Sequence, residues 1–144
     1  MAVPKPKKQT LTSLKKKAWG YFSQYIRLRD CTRTTGCGSF GLCITCGKRY
    51  HFKLLQAGHF VSGRHNANLF SEKGVHAQCY NCNINLRGNT LEYRRKIIDR
   101  YGKGYDEVLE EEACQIKKFT VVELEELITD LKDKIKELES PQPN

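Results

Sequence analysis

Residues 43–89 of this 144-residue chain read CITCGKRYHFKLLQAGHFVSGRHNANLFSEKGVHAQCYNCNINLRGN. The stretch holds all four histidines and two Cys-x-x-Cys pairs, Cys43 with Cys46 and Cys79 with Cys82. Two residues between thiolates let one tight turn aim both sulfurs at one ion, and two such pairs complete a tetrahedral zinc site with no open position. The spacing therefore predicts a structural Zn²⁺ site, whose binding free energy stabilises a small core.

The other three cysteines, Cys31, Cys37 and Cys114, bring the total to seven, an odd number. The N-terminus is charged and lacks the apolar segment of a signal peptide, so we interpret the cysteines as metal ligands and free thiols in a reducing cytoplasm. Cys31 and Cys37 are predicted to be free thiols, and the pattern assigns no role to Cys114. A redox role for either Cys-x-x-Cys is disfavoured because two matched pairs are present.

Charge divides the chain into two parts. Residues 1–102 contain 19 Lys and Arg against 4 Asp and Glu, a net charge of +15, whereas residues 103–144 contain 6 against 12, a net charge of −6. A basic body with interleaved aromatic residues is typical of nucleic-acid binding, where displacement of counterions from phosphates drives affinity. The apolar runs are only a few residues long, which excludes a membrane span of about 20 residues.

The residue pattern predicts an α+β protein with short strands and flanking helices. Residues 1–10 are expected to be a disordered basic arm. The predicted elements are a helix from Thr12 or Ser13 to near Arg29–Asp30, strands within 50–61 and 75–78 joined by a loop over 62–74, and helices over 90–101, 106–115 and from Thr120 onward.

The last of these helices has apolar residues spaced by four and three. They are Leu124, Ile128, Leu131, Ile135 and Leu138. Two heptads are short for an independent coiled coil. The pattern leaves open whether this acidic tail, residues 103–144, forms a homodimer or packs on the body of the same chain.

Histidines and asparagines lie between and beside the cysteine pairs. Metal-assisted phosphodiester hydrolysis needs a base for water, a divalent ion, and an amide or second histidine that holds geometry. Taken alone, His59 would more commonly be a hydrogen-bonded strand histidine. Asn89 is expected first as a helix cap.

The order of the motifs TCGK, QAGHF, VHAQC and CN followed by GN resembles the NinG/Rap recombination endonucleases of lambdoid phages. These are HNH nucleases, also called ββα-metal or His-Me finger nucleases. The resemblance covers residues 11–102. It implies a nuclease domain built on a zinc-clamped ββα-metal finger, flanked by N- and C-terminal helices.

The resemblance also implies roles for single residues. His59 would be the general base, and Asn83 would be a ligand of a catalytic Mg²⁺ or Mn²⁺ ion. Gly58 and Gly74 stand where many HNH nucleases carry a metal ligand and an orienting asparagine. His76 would share a strand face with Gly74, so we hypothesise that it supplies the missing ligand or orienting group.

Basic residues flank this stretch and the first helix. Those expected to contact DNA phosphates are Lys15, Lys16, Lys17, Arg64, Arg87, Arg94 and Arg95. The alternative for each is a solvated surface charge. Phosphate contacts would steepen the fall of affinity with salt.

The expected function is a metal-dependent endonuclease of branched recombination intermediates, such as Holliday junctions or D-loops. Its expected partners are branched DNA and phage or host recombination proteins, with no membrane. Two alternatives stay open: a non-catalytic zinc module that binds nucleic acid or recruits a partner, and an HNH nuclease of ordinary duplex DNA.

Overall fold

The computed structural model describes Val3 and residues 9–63 and 65–140. The first helix, α1 (Leu11–Thr35), begins after Thr10, whose Oγ1 accepts a hydrogen bond from the Ser13 backbone N–H at 3.1 Å. It ends at Gly36, which adopts the left-handed φ of 75° that glycine tolerates without strain. Most of the predicted basic arm, 1–10, lies outside the described residues.

α1 continues past Arg29–Asp30, where the sequence predicted its end. Both charged residues are buried: Asp30 Oδ2 accepts from the Ala77 backbone N–H at 2.8 Å, and Arg29 Nη2 donates to the Val75 carbonyl at 2.9 Å. The pair therefore ties the helix to a strand instead of terminating it. The predicted end was wrong because Cys31–Thr35 continue the helix.

Two small antiparallel sheets follow. β1 (Phe40–Leu42) pairs with β2 (Arg49–His51), and β3 (Leu55–His59) pairs with β4 (Val75–Cys79) after a single 3₁₀ turn at Phe52–Leu54. The predicted hairpin with a long connection is confirmed. The connection was predicted to be a loop, but it contains the short helix α2 (Asn66–Leu69).

The chain after β4 is helical. A π-helical turn at Asn81–Asn85 leads to α3 (Thr90–Tyr101), α4 (Tyr105–Ala113) and α5 (Val121–Glu139). The predicted bounds of α3 and the Thr120 cap of α5 are confirmed, and Thr120 Oγ1 accepts from the Glu123 N–H at 3.1 Å. None of the described helices is long and apolar enough to cross a membrane.

α1 lies at the centre of the fold, between the β3–β4 hairpin and α5. Phe22 and Ile26 cluster with Ala57 and Val75 of the hairpin. On the α5 side, Leu14 and Ala18 meet Leu124 and Ile128, and Leu131 joins the hairpin cluster. The apolar seam of α5 therefore packs within the chain, one of the two alternatives the heptad pattern left open, and does not offer a face for dimerisation.

A second cluster joins α3 and α4 to the other side of the hairpin. It contains Ile44, Phe60, Tyr93, Ile97 and Leu109. The hairpin is thus covered on both faces, and the architecture is α+β as predicted.

Candidate metal centre and active-site cleft

The four cysteines of the two Cys-x-x-Cys pairs meet at one end of the β3–β4 hairpin. Their Sγ atoms all lie within 4.8 Å of one another, and Cys46 Sγ is 3.9 Å from Cys79 Sγ. A tetrahedral zinc with Zn–S bonds of about 2.3 Å separates its sulfurs by about 3.8 Å. The cluster formed by Cys43, Cys46, Cys79 and Cys82 could therefore hold a metal ion such as zinc.

Hydrogen bonds favour the ionised, thiolate form of Cys43 in this cluster. Burial opposes ionisation of Cys43, but hydrogen bonds from the Cys46 backbone and the Thr45 hydroxyl outweigh it and lower the pKa of Cys43 to about 7. Burial and the neighbouring sulfurs instead raise the pKa of Cys46 to about 12. Four close sulfurs cannot all ionise without a cation between them, which is the behaviour expected of a metal centre.

Cys31 and Cys37 stand apart from the cluster as free thiols, as predicted. Cys31 is buried in α1 against Leu55 and Ala77, and its burial raises its pKa to about 11. Cys37 and Cys114 are exposed. None of these three belongs to the metal centre.

A cleft of about 690 Å³ opens near the other end of the hairpin. Its walls come from α1, β3, the connection between β3 and β4, and the segment after the π-helical turn. Its chemically relevant lining residues are Lys15, Lys16, Trp19, His59, Asn83 and Arg87. Among the described residues that line it there is no Asp or Glu. The cleft is therefore cationic and suited to an anionic ligand.

His59 is held in this cleft by two contacts from different elements. Its ring stacks on Trp19 of α1, with centroids 5.3 Å apart and 15° between planes. Its Nε2 lies 3.1 Å from the Leu69 carbonyl at the end of α2. A carbonyl only accepts hydrogen bonds, so the neutral ring carries its proton on Nε2 and its lone pair on Nδ1.

Asn83 lines the same cleft from the π-helical turn. Its Nδ2 donates to Gln56 Oε1 at 2.8 Å, which fixes the side-chain amide. The structure thus brings His59 and Asn83, two of the predicted site residues, into one cleft.

The predicted basic residues have different surroundings. Lys15, Lys16 and Arg87 line the cleft, and Arg87 does so with a left-handed φ of 50°, a conformation that costs a non-glycine residue about 1 kcal/mol. Lys17 is exposed on α1 outside the lining. Arg64 lies outside the described residues.

Arg94 and Arg95 engage carboxylates. Arg94 Nη1 lies 2.6 Å from Asp106 Oδ2 and 2.7 Å from Glu110 Oε1, and these hydrogen bonds lower the pKa of Asp106. Arg95 pairs with Glu92 at 2.8 Å. The charge of Arg94 joins α3 to α4, and its predicted phosphate contact stays a prediction.

The structure places His76 outside the lining of the cleft. His76 is fully buried, with Nδ1 3.2 Å from the Tyr93 hydroxyl and Nε2 2.8 Å from the Tyr101 hydroxyl. Both ring nitrogens are occupied, so neither is available to a metal ion in the cleft. Burial lowers the pKa of His76 to about 3, which keeps the ring neutral.

His76 instead supports the strand that carries His59. The Tyr93 hydroxyl donates to the Gly58 carbonyl at 2.7 Å, so His76, Tyr93 and Gly58 form one buried chain. In the hairpin register His76 pairs with Gly58, so its side chain lies on the strand face opposite His59.

Three side chains near the cleft were missed from the sequence: Trp19, Gln56 and Gln78. Trp19 is the chain's single tryptophan and one of many aromatic residues on α1. Gln56 lies three residues before His59, Gln78 lies two residues after His76, and the two glutamines are paired in the hairpin register. Alternation along QAGHF and VHAQC could have placed both glutamines on one face.

Fold and site together define a small α+β protein with a four-cysteine cluster that could hold a metal ion and a cationic cleft lined by a histidine and an asparagine. The chain belongs to the NinG family: the family model described as "Bacteriophage Lambda NinG protein" matches residues 3–141.

Similar proteins carry the same family name. Protein ninG of Escherichia phage lambda is 31% identical over 98 residues, and the match covers 67% of this chain and 47% of that protein. Protein ninG of Escherichia phage 933W is 32% identical, with the same coverage. The chain therefore matches about half the length of these curated relatives. No solved structure matches the chain.

Proposed function

We propose that this chain is a metal-dependent endonuclease that hydrolyses phosphodiesters in branched DNA, such as Holliday junctions or D-loops. The observation that carries the proposal is the cleft, where His59 and Asn83 lie among Lys15, Lys16 and Arg87. A cationic cleft with no carboxylate among its described lining residues attracts phosphate. An imidazole held beside that phosphate can activate water.

His59 is the general base in this proposal. The Leu69 carbonyl and the Trp19 ring hold the imidazole at the wall of the cleft. The imidazole takes a proton from water as the water oxygen bonds to phosphorus. The bond from phosphorus to the leaving oxygen breaks, and that oxygen takes up a proton from solvent. Lys15, Lys16 and Arg87 bind the flanking phosphates.

The motif resemblance implies a divalent cofactor, Mg²⁺ or Mn²⁺, and Asn83 would hold it. Bound there, such an ion neutralises the phosphate and stabilises the leaving oxygen. With no carboxylate in the described lining, binding would depend on amide oxygens, water and the DNA phosphate.

The choice of branched DNA comes from the motif resemblance to recombination endonucleases, which act in the host bacterial cytoplasm. The described helices offer no element recognisable as a reader of base edges, which favours DNA shape over sequence. By the same resemblance, phage or host recombination proteins are the expected partners. A homodimer would require a surface other than the buried seam of α5.

Cleavage of a junction panel tests the proposal. We expect the zinc-loaded wild-type chain to cut a four-way junction with Mg²⁺ or Mn²⁺, and His59→Ala to lose about 10²- to 10⁴-fold in rate, as for loss of a general base. His51→Gln is the matched control, since His51 lies in β2 and binds the Lys53 N–H. Junction binding and zinc content should stay unchanged in both variants.

Two results would contradict the proposal. Junction binding that survives chelation of Mg²⁺, with no cleavage under any metal, would indicate a non-catalytic zinc module. Equal cleavage of a linear duplex of the same sequence would indicate a nuclease of ordinary DNA and remove the branched substrate.

A further inference from the structure

One face of α1 forms a wall of the cleft. Thr12, Lys15, Lys16 and Trp19 all line it, and their spacing places them on one side of the helix. From Thr12 to Trp19 this face covers about 10 Å along the helix axis. It presents a hydroxyl, two cations and an indole in that order, and the indole stacks on the His59 ring.

The lining groups of the cleft differ in polarity with their depth. Lys16 of α1 and Arg87 of the segment after the π-helical turn are exposed. The apolar lining side chains are less exposed: Trp19 and Leu69 are half-buried, and Phe60 is buried. The cleft is therefore amphipathic, with exposed cations at its mouth and apolar groups further in.

The cations of the cleft have no carboxylate partner within the described part of the chain. Cations elsewhere on the surface, such as Arg94 and Lys134, pair with carboxylates. Lys15, Lys16 and Arg87 take part in none of the ion pairs of the described residues. An anion that enters the cleft therefore meets cations that no carboxylate neutralises.

The combination of cations and apolar groups discriminates among anionic ligands. An inorganic anion or an acidic peptide would neutralise the cations and leave the apolar interior unfilled. A DNA duplex keeps its bases stacked inside the helix, and it is too wide for a cleft of about 690 Å³, the size of a small-molecule site. A nucleotide that has left the stack offers a phosphate and a base together, and single-strand binding sites recognise these two groups with cations and aromatic side chains.

We propose that the cleft holds one unpaired nucleotide of a DNA strand, with its phosphate at Lys16 and Arg87 and its base against Trp19 and Leu69. Because Trp19 stacks on His59, a base held there brings the adjoining phosphodiester towards the imidazole. The inference rests on the proposed function only for the cleavage of that bond. Unpaired bases, which branch points share with bulges and gaps, are then the feature of DNA that the chain binds.

Binding to a DNA hairpin with one bulged thymidine tests the site. The zinc-loaded full chain is titrated into labelled DNA without added Mg²⁺ or Mn²⁺, and fluorescence anisotropy gives the affinity. Two matched DNAs are the fully paired hairpin and the same hairpin with an abasic residue as the bulge, which keeps the phosphate and lacks the base. We expect the thymidine bulge to bind about ten-fold more tightly than either, as for one base packed on an aromatic side chain.

Substitutions separate the base contact from the phosphate contact. Trp19→Ala should remove the ten-fold gain and leave the affinities for the abasic and paired hairpins unchanged, and Leu69→Ala should reduce the gain. Lys16→Gln should weaken binding of all three DNAs by the same factor. Tyr21→Ala is the matched control, since Tyr21 is a half-buried aromatic residue of α1 outside the lining. A defect of folding would weaken binding of all three DNAs, so the ratio of affinities reports the base contact alone.

Four results would overturn the site. The first two are equal affinity for the thymidine and abasic bulges, and a gain that survives in both Trp19→Ala and Leu69→Ala. The third is displacement of the bulged DNA by polyglutamate as effectively as by the unlabelled hairpin, which is expected of a docking site for an acidic protein segment. The fourth is tighter binding of an RNA hairpin with the same bulge, which would assign the cleft to RNA.

These outcomes are separable from those of the proposed function. Metal-dependent junction cleavage that requires His59, together with equal binding of the thymidine and abasic bulges, would remove the nucleotide site alone. The expected binding pattern without cleavage of any DNA would leave the nucleotide site in place and remove the nuclease.

Discussion

The cysteine cluster and the cleft occupy opposite ends of the same two strands. Cys79 pairs with Leu55 at one end of the hairpin, and His59 pairs with Val75 at the other, four residues or about 13 Å away. At the cluster, two tight turns deliver all four sulfurs. At the cleft, Trp19 of α1, Leu69 of α2 and Asn83 of the π-helical turn converge on His59.

The cysteine cluster is therefore expected to stabilise the fold, and the cleft is expected to bind a ligand. The cluster could hold a metal ion, and a bound zinc would contribute folding free energy. The cleft gathers like charges, which cost folding free energy and which an anionic ligand would neutralise. Substitutions at the two ends should therefore have different effects.

The largest effect is expected at the cluster. Cys79→Ser should lose zinc and most of the free energy of unfolding, since structural zinc sites contribute about 10 kcal/mol or more. Zinc content and thermal unfolding measure this, with Cys114→Ser at an exposed cysteine as the matched control. A zinc-free Cys79→Ser protein with the melting temperature of the wild type would show that the cysteine cluster does not stabilise the fold.

The second effect concerns His76, which lies behind the cleft. An unfolded histidine takes up a proton near pH 6.5, whereas folded His76 has a pKa of about 3, so the unfolded chain binds more protons between these values. The free energy of unfolding should therefore rise with pH in this window by about 1.4 kcal/mol per unit. Above pH 6.5 His76 is neutral in both the folded and the unfolded chain, so it no longer makes the free energy of unfolding depend on pH.

Denaturant unfolding at pH 5, 6, 7 and 8 measures that slope. His76→Gln should be less stable at pH 8 and should lose stability less steeply on acidification. His51→Gln should keep the wild-type slope. Identical slopes in all three proteins would mean that His76 is not held neutral by burial.

A smaller effect is expected from the cations of the cleft. Lys15→Gln, Lys16→Gln and Arg87→Gln should each weaken junction binding and reduce the slope of log affinity against log salt by about 0.9. Arg95→Gln should leave the slope unchanged, because Arg95 pairs with Glu92 outside the cleft. If all four variants changed the slope equally, the DNA interface would extend beyond the cleft, which contradicts the prediction that the cleft is the DNA-binding site.

The smallest effect is expected at Trp19. An aromatic stack contributes about 0.5–1.5 kcal/mol, so Trp19→Leu should slow cleavage by up to about ten-fold, and Trp19→Phe by less. Cleavage rates of the two variants measure this effect. Wild-type rates in both variants would show that the stack on Trp19 does not position His59.

The sequence predicted the cluster better than the cleft. Cys-x-x-Cys spacing is a local property, and the four sulfurs meet as predicted. His59 and Asn83 were identified by motif and share the cleft, although their catalytic roles stay predictions. His76 and Arg94 were assigned by proximity in sequence, and their partners, Tyr101 and Asp106, come from residues more distant in the chain.

The sequence by itself determined the α+β class, the hairpin, the bounds of α3 and the cysteine cluster, because these depend on spacings of a few residues and on caps such as Thr120. Only the tertiary structure decided that the seam of α5 packs on α1 and that Trp19 lies on His59. It alone also showed that Gln78 Oε1 occupies the space beside Gly58. These contacts join residues that are far apart in the chain, and they form because α1 packs between the hairpin and α5.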